Sequence, residues 1–137
     1  MVFLPYLKIK LLDIHMEEFR IVFENYEISN LGNIRRKLKN GDYKDIQGSV
    51  LNGGYRYFQI HRNNTRTNLL FHHLVAQAFI SERPEGKVID HIDRNSLNNN
   101  VSNLRYITQT ENMRNTKKYI KEIPADVENR QSLVFKL

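Results

Sequence analysis

Residues Val88–Asn112 read VIDHIDRNSLNNNVSNLRYITQTEN. Two β-prone runs, VIDHI and LRYIT, bracket a loop in which asparagine recurs at 95, 98, 99, 100 and 103, and again beyond it at 112. Thr108 stands three residues before Glu111. In that capping-box spacing each side chain satisfies a backbone N–H of the other residue, so a helix is predicted from near Thr108 to about Tyr119. Strand, loop, strand and helix thus follow one another closely. The unit has little apolar surface of its own and must lean on whatever precedes it for a core.

What precedes it changes period. In FHHLVAQAFI, residues Phe71, Leu74, Val75, Ala78 and Phe79 recur at helical spacing, and Ala and Leu favour that conformation. Upstream, SNLGN, KNGDY, NGGY and RNNT punctuate short β-prone runs. Such Asn- and Gly-rich breaks read as antiparallel hairpins, with strands near Tyr26–Ser29, Asn33–Lys37, Tyr55–His61 and Arg66–Leu70. The expected class is α+β. A small antiparallel sheet over residues 19–69 is followed by a helix and a ββα core over 70–119. Residues 1–18 read as a lead-in helix or strand, and 120–137 as a tail without strong pattern.

The chain has 137 residues, 40% of them hydrophobic, enough for one modest core. Lysine and arginine number 21 against 15 acidic residues, a net charge of +6. That excess makes a polyanion, nucleic acid first, the expected partner. No cysteine is present. This excludes disulfides, a zinc-cysteine site and a thiol nucleophile, so any metal must be held by oxygen and nitrogen donors. The apolar start is broken by Pro5, Lys8, Lys10 and Asp13, so neither a membrane span nor a signal peptide is expected. A cytoplasmic or nuclear location in the host cell follows as the expectation.

Asp90 and His91 are neighbours at a predicted strand end, and Asn112 lies about one turn into the capped helix. A carboxylate and an amide oxygen are hard donors suited to one Mg²⁺ or Mn²⁺ that keeps waters and substrate phosphates. His91, directed away from that ion, can deprotonate water, which is the division of labour phosphodiester hydrolysis requires.

This stretch resembles the ββα-metal motif of HNH endonucleases, in the Asp-His-Asn-Asn variant of phage and intron-encoded homing enzymes. FHHLVAQAFI is similar to the helix preceding that motif, and YEISNLGNIRRK resembles NUMOD4, a DNA-binding module often fused to such nucleases. The resemblance covers roughly residues 19–117. It implies metal binding by Asp90 and Asn112 and a general-base role for His91. It also implies that Asn103 hydrogen-bonds within the loop to hold the imidazole in orientation. Arg105, beside the site, is the candidate for gripping a phosphate. The expected partner is double-stranded DNA, bound by a phage- or virus-encoded monomer or homodimer. A monomer with one base would nick. Two positions depart from the family's pattern: Arg94 stands where glycine is usual, and Tyr106 where tryptophan is frequent.

Candidate phosphate contacts are Arg35, Arg36, Lys37, Lys39, Arg56, Arg62 and Arg66 on the strands, with His73 on the helix. A solvated edge that discourages aggregation is the plainer reading of those cations. Adjacent His72 and His73 diverge by about 100° on a helix and do not share an ion; His72 reads as buried or capping. Asn98, Asn99 and Asn100 read as turn residues, with Asn95 bracing the loop. Tyr55, Tyr57 and Phe58 read as packing residues. The tail is too short for the helix-turn-helix reader that homing enzymes often add, which shortens the expected footprint. Rival readings are a DNA-binding protein of the same fold without turnover and an RNA-processing nuclease.

Overall fold

A computed structural model describes residues 16–122, with side chains described as far as residue 116. Most of the lead-in and most of the tail expected from sequence lie outside the described residues. Among the described residues, nine strands and two α-helices follow one another. The strands are β1 (Phe19–Phe23), β2 (Tyr26–Ser29), β3 (Ile34–Lys37), β4 (Tyr43–Ile46), β5 (Ser49–Val50), β6 (Arg56–Arg62) and β7 (Thr65–Leu70). Helix α1 (Phe71–Phe79) then leads to β8 (Lys87–His91), a 3₁₀ turn at Val101–Asn103, β9 (Leu104–Thr108) and α2 (Gln109–Glu122).

All pairing is antiparallel, in three separate sheets ordered β1-β2-β3-β4, β5-β6-β7 and β8-β9. The α+β class expected from sequence is the one found. Asn63 and Asn64, with φ of 50° and 60°, close a two-residue hairpin between Arg62 and Thr65. Two left-handed residues in succession match the right-handed twist of the flanking strands, and asparagine tolerates them. The capping box is also present: Glu111 Oε2 accepts from Thr108 N at 2.8 Å, and Thr108 Oγ1 accepts from Glu111 N at 3.2 Å. That pair of bonds fixes where α2 begins.

One core joins the sheets through α1. Ile28 and Ile34 from the first sheet, Phe58 from the second, Phe71, Leu74 and Val75 from the helix and Leu104 from β9 form a single buried cluster. The helical face read from sequence therefore supplies the centre, with Phe71 and Val75 fully buried. Phe58 meets Phe71 edge-on at 6.1 Å between ring centroids, a favoured aromatic geometry.

The loop between β8 and β9 docks on the turn that ends β2. Asn30 O accepts from Val101 N at 2.8 Å, and Ser29 Oγ accepts from Asn33 N at 3.0 Å within that turn. Gly32 sits at φ +88°, and a Cβ there would lie 2.9 Å from Asn99 Cβ and from Asn99 O. Only glycine combines that backbone conformation with so close an approach. Gly32→Ala is therefore expected to lower unfolding stability by about 2 kcal/mol in urea titration. A loss below about 0.5 kcal/mol would show that the loop and turn are not tightly packed.

Candidate active site

Strand β8 ends in the two residues that matter most. Antiparallel register sets Asp90 opposite Arg105 and His91 opposite Leu104. Side chains directly opposite share a face, so Arg105 reaches Asp90, with Nε 2.8 Å from Oδ2. The sequence nominated Arg105 for a phosphate. The structure makes it first the partner of the Asp90 carboxylate, whose side chain is only 14% exposed. The guanidinium thus gives one oxygen of this mostly buried carboxylate a charged hydrogen-bond donor.

His91 turns inward and is 8% exposed. Its Nε2 lies 3.0 Å from Asn99 Oδ1. Asn99 is itself buried at 3% exposure, and among the described residues its Nδ2 has no hydrogen-bond partner. The residue that touches the imidazole is thus Asn99, not Asn103, and the reading of Asn99 as a simple turn former is corrected.

Asn103 does different work. Its Oδ1 accepts from Asp93 N at 2.9 Å, while its Nδ2 donates to Asp93 Oδ1 at 2.8 Å and to Asn98 O at 2.9 Å. Its backbone O also accepts from Ile92 N at 2.8 Å. It ties together the two ends of the loop that carries Asn99, and so acts on His91 at one remove. Asp93 completes this web by accepting from Asn95 N and Asn98 Nδ2, each at 2.8 Å. The Asn98 amide, the Asn95 N–H and the Asn103 amide hold the Asp93 carboxyl below the usual range.

Asp90, His91 and Asn112 line one cleft, with Tyr55, Ile89, Arg94, Ser96, Asn115 and Thr116. Successive strand residues face opposite sides, so the cleft must wrap the end of β8 for both Asp90 and His91 to border it. Tyr55, read from sequence as packing, is 41% exposed at this cleft, its ring 6.0 Å from that of His91. It arrives from the turn before β6, where Gly54 O accepts from Ser96 Oγ at 2.9 Å. No group of three or more histidines or carboxylates close enough to hold a metal occurs among the described residues. The cleft is lined by one carboxylate, Asp90, and by two carboxamides, Asn112 and Asn115. That set fits an ion which keeps waters and phosphate oxygens in its remaining positions, as Mg²⁺ does, and does not fit a zinc cage.

His72 is buried beneath this site, its ring 5.1 Å from that of His91 and 5.1 Å from that of Tyr55. Burial, then the neighbouring His73 and His91, push its pKa down to about 3. His73 is also held below the ordinary histidine value, by partial burial and then by Arg83, so at pH 7 it is neutral and offers no charge to a phosphate.

The basic residues read from the strands divide into two groups. Arg35 is sandwiched between Phe19 and Tyr43, its guanidinium carbon 3.6 and 3.9 Å from the ring centroids, and it pairs with Glu27 at 3.1 Å. Arg56 lies 4.5 Å from the Phe71 ring centroid and donates to Gln47 O at 2.8 Å. Both are parts of the packing. Arg36, Lys37, Lys39, Arg62 and Arg66 are exposed, Arg62 in a surface pair with Glu24.

Residues 69–114 match the family model described as HNH endonuclease. Residues 69–114 carry an HNH endonuclease domain. An HNH endonuclease of Acanthamoeba polyphaga mimivirus, L245, is 38% identical over 91 residues, 66% of this chain and 26% of the relative. DNA endonuclease I-HmuI of Bacillus phage SP01 is 33% identical over 91 residues, 66% of this chain and 51% of the relative. A prophage-derived HNH homing endonuclease of Bacillus subtilis, YosQ, is 46% identical over 52 residues, 38% of this chain and 30% of the relative. The chain thus spans between about a quarter and a half of the length of these relatives. A solved structure of I-HmuI, described as showing DNA binding and cleavage by that HNH homing endonuclease, superposes with a TM-score of 0.65 at 26% identity. The match covers 84% of this chain and 66% of that one.

The His72 shift has a measurable sign. The folded chain favours neutral His72 while the unfolded chain binds a proton near pH 6.5, so the contribution is intact above pH 6.5 and is lost as pH falls toward about 3. The loss reaches about 1.4 kcal/mol per pH unit for one proton. His72→Phe is expected to remove that part of the acid destabilisation in urea unfolding between pH 7 and pH 4. Identical slopes for the two proteins would contradict it.

Proposed function

We propose that this chain is a divalent-metal-dependent DNA endonuclease of the phage or homing type, with His91 as general base and Asp90 and Asn112 as the protein ligands of one Mg²⁺ or Mn²⁺. The carrying observation is that these three residues border one cleft, with the His91 ring held by Asn99 at 3.0 Å.

With Oδ1 of Asn99 toward Nε2, that nitrogen carries the proton and Nδ1 keeps its lone pair. Nδ1 then takes the proton of a water as its oxygen attacks phosphorus and the bond to the leaving 3′ oxygen breaks. Burial restricts the ring, so no orientational freedom has to be lost at the moment of reaction. A bound divalent ion would stabilise the charge developing on the phosphate and leaving oxygen. Arg105, through Oδ2 of Asp90, holds that carboxylate in place and leaves its other oxygen for the ion. The exposed cations Arg36, Lys37, Lys39, Arg62 and Arg66 supply sequence-independent attraction to duplex phosphates. One base serves one strand, so a monomer produces a nick. A duplex break takes two copies or two visits.

Supercoiled plasmid incubated with Mg²⁺ or Mn²⁺ tests this reading. The wild-type chain is expected to yield open circles. His91→Ala should lower the rate at least about 100-fold while binding DNA as before. Asn99→Ala is expected to fall by about 10-fold or more, because its contact with the ring is direct. If the wild type binds the plasmid without nicking it, or His91→Ala nicks equally well, the nuclease reading fails. Preferential cleavage of structured RNA would place the activity on the other nucleic acid.

A further inference from the structure

Beside the cleft that holds Asp90 and His91 lies a second one, lined by His73, Gln77, Arg83, Ile89 and Tyr106. Ile89 borders both clefts. Register sets Tyr106 opposite Ile89, and His73 follows His72 on α1, whose ring is 5.1 Å from that of His91. The two clefts are thus neighbours across one strand residue.

The segment between α1 and β8, which carries Arg83, is anchored at both ends. Tyr106 Oη donates to Ser81 O at 2.9 Å, Ser81 N donates to Ala76 O at 3.1 Å, and Lys87 N donates to Pro84 O at 3.2 Å. Arg83 itself is exposed, and among the described residues its guanidinium makes no hydrogen bond or ion pair. Glu82 and Glu85 lie near it in the chain, but neither lines the cleft. Apart from Ile89, the other walls are polar without charge: Gln77 is a carboxamide, Tyr106 a phenol, and burial followed by the nearby Arg83 keeps His73 neutral at pH 7. One cation among neutral donors and acceptors suits a single nucleotide. The guanidinium matches its phosphate oxygens, while the amide and the imidazole match groups on its sugar and base.

We propose that this second cleft receives the nucleotide beside the scissile phosphate, with Arg83 on the phosphate that adjoins the cut. The proposal rests on the nuclease reading for which bond is cut, whereas the contact with Arg83 is measurable by binding alone.

Arg83→Ala removes the cation from an exposed position and is expected to melt with the wild type. Its slope of log Kd against log salt for a short duplex should fall in magnitude by about 1, the loss of one phosphate contact, and Arg83→Lys should restore it. Gln77→Ala should leave the slope as it is, because a carboxamide displaces no counterion. Duplexes in which one phosphate is replaced by an uncharged methylphosphonate locate the contact. With the nick mapped, that replacement at the adjoining linkage of the cut strand should weaken wild-type binding about 10-fold and leave Arg83→Ala binding nearly unchanged. An unchanged slope in Arg83→Ala, an equal fall in Gln77→Ala, or equal sensitivity of wild type and Arg83→Ala to that methylphosphonate would overturn the proposal. If the wild type binds the duplex without nicking it, yet Arg83→Ala loses the slope and its sensitivity to one methylphosphonate position, the phosphate contact stands and the nuclease reading alone falls.

Discussion

The structure depends on holding in place a largely exposed loop that buries Asn99 against His91, and Asn103 at its far end. Between β8 and β9 the chain must lead away from the end of one strand, cover His91 and return to the next strand, and its backbone groups need partners throughout. Asparagine and aspartate side chains supply many of those partners. Asp93, Asn95, Asn98, Asn100 and Asn103 each bond to loop backbone, through Asx turns at Asn95, Asn98 and Asn100 and through the Asp93–Asn103 pair. The 3₁₀ turn at Val101–Asn103 then donates to Asn30 O, so the loop rests on the first sheet. Asn99 is left to face the imidazole.

This arrangement explains why the upstream sheets matter to the cleft. The turn after β2 abuts Asn99 at Gly32, and the turn before β6 delivers Tyr55 and accepts from Ser96. Helix α1 carries His72 beneath the His91 ring and contributes Phe71 and Val75 to the core shared with Ile28 and Ile34. The small β8-β9 pair could not bury His91 with its own residues. Elements that hold no proposed catalytic group therefore determine how tightly the proposed base is fixed.

Much of this was legible from residues alone, and the failures have a common cause. Hairpins at Asn63-Asn64, the capping box at Thr108 and Glu111, and the buried face of α1 follow from local rules of turn chemistry, capping and period. Short strands such as β4, with three exposed residues of four, carry little apolar alternation to betray them. Which asparagine of five in the loop meets the imidazole depends on loop geometry that no spacing encodes. Arg35 and Arg56 look like any other basic residues in sequence. Their stacking on Phe19, Tyr43 and Phe71 arises only once strands bring distant aromatics beside them. Arg105 is a similar case, since its pairing with Asp90 follows from strand register.

The account stands on Asp90 and Asn112 being the two protein ligands beside a buried base. Anomalous diffraction at the manganese edge, from crystals of the full chain grown with a short duplex and Mn²⁺, addresses that directly. The account predicts a single strong peak between the Asp90 carboxylate and the Asn112 side-chain oxygen, absent from Asp90→Ala crystals. A peak held by other residues, or the same peak in the absence of the Asp90 carboxylate, would contradict it.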